Sequence, residues 1–92
     1  MKILDAKGLS EAAERLPEWN VGVEGLEREV TLEDFKAALG LVNRIGAAAE
    51  EAGHHPDIDI RYNRVKLTLV THDAGGVTAS DVEMAKKIDT LL

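Results

Sequence analysis

The chain has 92 residues, room for one small domain over 1–92 and too few for a second. Its 17 Asp and Glu outnumber 11 Lys and Arg for a formal charge of −6, a balance that repels phosphate backbones and anionic lipid and argues against nucleic acid or membrane as a partner. Cysteine is absent, which excludes disulfides, thiolate nucleophiles and Cys-based zinc sites and leaves any chemistry to His, carboxylates and hydroxyls.

A domain of this size buries only about 60–70% of the surface its unfolded chain exposes, so a homo-oligomer is expected. The opening Met-Lys-Ile-Leu-Asp lacks the apolar core of a signal peptide, and no run reaches the ~18 apolar residues of a membrane span. A cytoplasmic protein is the resulting expectation.

In chain order, the first predicted element is a short helix from an N-cap at Ser10 to the stop at Pro17, burying Leu9, Ala12, Ala13 and Leu16. Trp19, Val21 and Val23 then alternate with Asn20 and Gly22. With Leu26 to Val30 beyond Glu24-Gly25, they predict a hairpin of two short strands. Thr31 and Asp34 have capping-box spacing before a long helix with Phe35, Ala38, Leu39, Val42, Ile45 and Ala49 on one face, ending at Gly53.

Ile58, Ile60 and Tyr62 alternate with Asp57, Asp59 and Arg61, and Val65, Leu67 and Leu69 with Lys66, Thr68 and Val70, predicting a second hairpin turning at Asn63-Arg64. Asp73-Ala74-Gly75-Gly76 reads as a plain turn. It leads to Thr78, the cap of a final helix with Val82, Ala85, Ile88 and Leu92 inward. The order α-β-β-α-β-β-α implies an α+β fold, a single four-stranded antiparallel sheet with three helices packed on one face. Trp19 and Phe35 are expected in its core, and Tyr62 in the core or at an interface.

The three histidines, His54, His55 and His72, all fall at element ends. Imidazole gives and takes protons near neutral pH, so His is the residue type on which metal-free acid–base chemistry would rest here. Counting outward from an Asn63-Arg64 turn pairs Tyr62 with Val65 and Pro56 with Thr71, which places His72 opposite His55 at one end of the hairpin. A lone His in a polar loop is most often a solvated side chain. Convergence of three from two distant stretches is a stronger signal. Three His can hold zinc, but adjacent His in extended chain point apart, and Asp57 and Asp73 are at no metal-motif spacing, so neither a metal nor another cofactor is expected. Asp81, three after Thr78, is first of all a capping-box residue.

Glu50 lies four residues before His54-His55-Pro56, Tyr62 six after Pro56, His72 ten further on and Asp81 nine beyond that. On these residues the chain resembles the pterin-4a-carbinolamine dehydratase family, and the likeness extends to Leu16-Pro17-x-Trp19, Asp34-Phe35, Ala49-Glu50-Glu51 and Thr71-His72-Asp73-Ala74-Gly75-Gly76-Val77-Thr78. The resemblance implies dehydration of 4a-hydroxytetrahydropterin to quinonoid dihydropterin, in recycling the cofactor of aromatic amino-acid hydroxylases. It implies His54 and His72 as acid and base, His55 as an orienting and assisting residue, and Glu50, Pro56, Thr71 and Asp81 as substrate-binding or site-edge residues. It also implies a homodimer or homotetramer, with a hydroxylase as a candidate client. The competing expectation is a non-catalytic dimerisation or assembly-partner module of the same fold.

Overall fold

The computed structural model describes residues 2–92. Helix α1 (Ala6–Arg15) is followed by β1 (Asn20–Gly22), β2 (Gly25–Thr31), α2 (Phe35–Ala52), β3 (Asp57–Arg61), β4 (Arg64–Leu69) and α3 (Ala79–Asp89). The strands form one antiparallel sheet in the order β1-β2-β4-β3. The expected element order and α+β architecture are thus both present.

Period-two alternation decides the two faces of the sheet. Leu26, Val65, Leu67 and Leu69 point to the helices and are buried with Leu16, Leu41, Ile45 and Ile88. Each such aliphatic side chain contributes about 1.5–3 kcal/mol by leaving water. The outer face carries cross-strand charge pairs instead, Lys66 with Glu27 at 3.7 Å and Arg64 with Glu29 at 4.0 Å. Helix α2 packs over β3 and β4, α3 over β2 and β4, and α1 against β1. One charged residue, Arg28, falls on the helix side. Its guanidinium donates to Asp89 at 2.7 Å, and the Trp19 indole N–H donates to the same oxygen at 2.8 Å, tying β2 and the start of β1 to the end of α3.

Several local expectations are corrected. The cap of α1 is Asp5, whose carboxylate accepts from the Gly8 N–H at 2.8 Å, so Ser10 sits inside the helix and Ala13 faces solvent. The cap of α2 is Asp34, accepting from Ala37 N–H at 2.8 Å, because Thr31 is committed to β2 as the partner of Arg64. The buried stripe of α2 is turned toward Leu41, leaving Phe35 47% exposed rather than in the core and Leu39 similarly open. Met84 replaces Leu92 on the inner face of α3, since that helix ends at Asp89.

The β1–β2 turn is Val23-Glu24, one residue earlier than expected. The same shift occurs between β3 and β4, where Arg61 pairs with Arg64 and the turn is Tyr62-Asn63. Tyr62 takes the left-handed conformation (φ 52°) that a tight hairpin turn demands, and is left in solvent. Asn63 is held from outside the hairpin: its carbonyl accepts from Leu32 N–H at 2.7 Å and its side-chain amide donates to the Leu32 carbonyl at 3.1 Å. Ile60 therefore pairs with Val65 and Ile58 with Leu67, two residues away from the expected partners; Ile60 still packs against the core, while Ile58 at the sheet edge is exposed.

Gly53 ends α2 as expected, with φ 66° and ψ 26°. Its N–H reaches the Glu50 carbonyl at 3.3 Å and the following His54 N–H reaches Ala49 at 3.2 Å, the paired bonds of a Schellman close. A Cβ here would meet no atom within 4 Å, so only backbone strain opposes substitution. Gly53→Ala is expected to cost about 1–2 kcal/mol, read from the urea midpoint.

Candidate active site

Two backbone devices aim the histidines. The Schellman close after α2 uses the His54 N–H, so the chain leaves the helix in one direction with His54 and His55 as its first residues. The second device is a tight loop after β4, which ends at Leu69 and not at His72. Thr71 forms an isolated bridge with Gly76, and its carbonyl collects N–H groups from Ala74 at 3.1 Å and Gly75 at 2.9 Å. Gly75 supplies the positive φ of 79° that this curl requires, so the Gly-Gly segment is a turn. The loop is fastened from behind by the Leu4 N–H on the Val77 carbonyl at 2.8 Å, with Ile3 packed where a side chain on Gly76 would lie.

Continuing the β3–β4 register past the strand ends sets His54 level with Thr71 and His55 with Val70, so His72 is not opposite His55. It still reaches the same place by way of the loop. Gly53, His54, His55, Val70, Thr71, His72 and Asp73 line one open cleft of about 240 Å³. That is near the small end of ligand sites, which run upward from roughly 300 Å³, and it suits a flat molecule lying partly in solvent. Pro56 does not line it. A larger hollow of about 560 Å³ beside the β1–β2 hairpin and a charged one of about 240 Å³ on the outer sheet face contain no imidazole or hydroxyl nucleophile paired with a base. A further hollow of about 280 Å³ between the end of α2 and the start of α3 also takes His54, with Ser80 and Lys87, so of these hollows the cleft beside Thr71 is the one that collects all three imidazoles.

The three imidazoles are held differently. His54 is partly buried, and its Nε2 lies 2.6 Å from Oδ1 of Asp81, whose side chain has no exposed surface. His55 is largely exposed and pairs through Nε2 with the exposed carboxylate of Glu50, one turn back in α2. For the His72 side chain no hydrogen-bond partner is found among the described residues, so both its nitrogens are open to solvent or a ligand.

Asp81 does not line the cleft but stands behind His54. It occupies the third position of α3 and faces Thr78 as a capping box. The better-formed half is the Thr78 N–H on Asp81 Oδ2 at 2.8 Å, while the Asp81 N–H also reaches the Thr78 carbonyl at 3.1 Å. The same Oδ2 accepts from the Thr71 hydroxyl at 2.8 Å, and Thr71 Oγ1 lies 2.7 Å from Thr78 Oγ1. Of the site residues expected from sequence, His54, His55, Thr71 and His72 meet in the cleft, Asp81 and Glu50 each back one histidine, and Pro56 stands apart. Thr78, wholly buried, was read only as a cap; its spacing to Asp81 was visible, but nothing in it signalled the link through Thr71 to His54.

Among the described residues, no group of three or more His, Asp or Glu is disposed to hold a metal ion, and no helix is long and apolar enough to cross a membrane.

Comparison with known proteins identifies the family and the fold. Residues 2–91 match the family model for pterin 4 alpha carbinolamine dehydratase. A protein of Acidobacterium capsulatum, provisionally named pterin-4-alpha-carbinolamine dehydratase, is 51% identical over 92 residues, all of this chain and all of that one. The solved structure of a transcriptional coactivator/pterin dehydratase from Brucella melitensis superimposes with a TM-score of 0.91 at 35% identity, covering 98% of each chain. A pterin dehydratase-like protein identified as a RuBisCO assembly factor in the alpha-carboxysome shares the fold, with a TM-score of 0.65 at 19% identity over 79% of this chain and 84% of its own. By sequence over its whole described length, and by fold, this chain belongs to the pterin 4 alpha carbinolamine dehydratase family.

Proposed function

We propose that the chain dehydrates 4a-hydroxytetrahydropterin to quinonoid dihydropterin and water by histidine acid–base catalysis. The observation that carries this reading is the cleft shared by His54, His55 and His72. Departure of the 4a-hydroxyl as water needs a proton delivered to that oxygen, and the new C=N bond forms as a proton leaves the ring nitrogen. Two imidazoles beside a flat bicyclic ring supply both transfers, with no net gain or loss of protons by the protein. His54 and His72 take the acid and base roles, and His55, steadied by Glu50, orients and assists. Thr71 lines the cleft beside them and Asp81 backs His54, while Pro56, expected at the site, has no part in this reading.

The reaction belongs to cytoplasmic recycling of a hydroxylase cofactor, with an aromatic amino-acid hydroxylase as the client and a homodimer or homotetramer as the working form. The half-exposed Phe35 and Leu39 on α2, with Ile58 and Tyr62 on and after the edge strand β3, support an assembly through that side of the molecule.

Mixing the purified chain with freshly generated 4a-hydroxytetrahydropterin and following ultraviolet absorbance tests the reading. Acceleration over the spontaneous dehydration is expected. A rate equal to the spontaneous one would favour the assembly-partner module, a use for which the RuBisCO assembly factor provides a precedent on this fold.

A further inference from the structure

With Asp81 as a carboxylate, the hydrogen bonds behind His54 leave one arrangement of protons. Asp81 is at the third position of α3, where the positive end of the helix favours an anion, and a carboxylate can only accept. Its three partners must all donate: the Thr78 N–H and the Thr71 hydroxyl to Oδ2, each at 2.8 Å, and His54 Nε2 to Oδ1 at 2.6 Å. A threonine hydroxyl has a single proton. Since Thr71 gives its proton to Asp81, the 2.7 Å contact between the two hydroxyls must have Thr78 donating to Thr71. The direction runs from Thr78 to Thr71 to Asp81, with His54 donating from the other side.

Two consequences follow for the reaction of the preceding subsection, on which the kinetic part of this inference rests. Thr71 touches the cleft but has no proton left for a ligand. His54 must carry a proton on Nε2, so the nitrogen left to act on a ligand is Nδ1. We propose that Thr71 is a positioning residue and not a substrate donor, and that with Thr78 it orients Asp81 so that His54 works through Nδ1.

The first test needs no turnover. In the full chain labelled with ¹⁵N-histidine, long-range proton–nitrogen correlation at a pH where the rings are neutral should show His54 protonated on Nε2. Assignment comes from the His55→Gln and His72→Gln variants. In Asp81→Asn the amide must turn its oxygen to the Thr78 and Thr71 donors and its NH₂ toward His54, so the pattern should reverse to Nδ1–H. A wild-type ring protonated on Nδ1, or an Asp81→Asn ring unchanged from wild type, overturns the proposal.

The second test is kinetic. Thr71→Val should lower kcat by about tenfold, the size expected for one lost hydrogen bond to a charged group, with KM unchanged, while Thr71→Ser should retain wild-type kcat. A raised KM at unchanged kcat places Thr71 on the substrate and overturns its positioning role. Should Thr71→Val fail to fold, the serine variant and the ring spectra still decide. Should the wild-type chain fail to accelerate dehydration, the proposed reaction falls, while the spectra judge the proton arrangement on their own.

Discussion

Alanine at position 72 is expected to lower pterin dehydration by about 10²- to 10⁴-fold, the usual contribution of a positioned general acid or base, and to leave thermal unfolding unchanged. The His72 side chain stands in solvent on the loop held by the Thr71–Gly76 bridge, with no hydrogen-bond partner found among the described residues, so truncating it orphans nothing. Alanine at position 54 should cost comparable activity but also stability. It removes a donor from the fully buried Asp81 carboxylate, a loss of about 1–3 kcal/mol. In a domain this small each kcal/mol moves the melting temperature by roughly 4–8 °C, so the two variants separate cleanly in a melt. Steady-state rates and circular-dichroism melts check both. Near-wild-type turnover in either variant would remove that histidine from the mechanism.

What could be read from sequence follows the strength of each local signal. The inner sheet face was legible because Val65, Leu67 and Leu69 alternate without interruption, and parity survives a register error of two residues. The register itself was not, because the β3–β4 turn is set by a contact outside the hairpin, Asn63 on Leu32. The helix caps were misplaced because cap-type residues recur within a few positions: Asp5 rather than Ser10 starts α1, and Asp34 starts α2 because strand pairing takes Thr31. Phe35 was misread because aromatic character outweighed position. It is the first residue of α2, at the end of a stripe that turns toward Leu41.

That the histidines gather in one cleft was legible in the sequence, but not the geometry by which they do so. The His54-His55 pair was anchored by a strong signal, Gly53 after a long helical pattern, and the Schellman close bears that out. His72 arrived in the cleft by a route the register argument did not contain, a loop curled on Thr71 and Gly75. The division of labour between Asp81 and Glu50 was hidden altogether. Spacing along α2 puts only Glu50 beside the His pair, whereas Asp81 came to the site through the family resemblance alone, and burial is what distinguishes the Asp81–His54 contact from the solvent-exposed Glu50–His55 one.

That difference in burial leads to the largest expected effect on stability, at Asp81. Its carboxylate closes the first turn of α3, joins the β4 loop to that helix through Thr71, and holds His54 at the end of α2. Asp81→Ala strands the buried Thr78 N–H and the part-buried Thr71 and His54 donors, and should cost about 3 kcal/mol, the low end of the range for breaking a buried ionic network. Asp34→Ala is the matched comparison: the same residue type at a helix start, but exposed, with one bond to Ala37 N–H at 2.8 Å and an expected cost of about 1 kcal/mol. Urea denaturation at constant m-value measures both. Small domains hold only about 5–15 kcal/mol in total, so Asp81→Ala should lose a large share of its folded margin and Asp34→Ala very little. Equal losses in the two variants would mean that Asp81 acts as an ordinary cap, and that the link between the folding of α3 and the placement of His54 is not there.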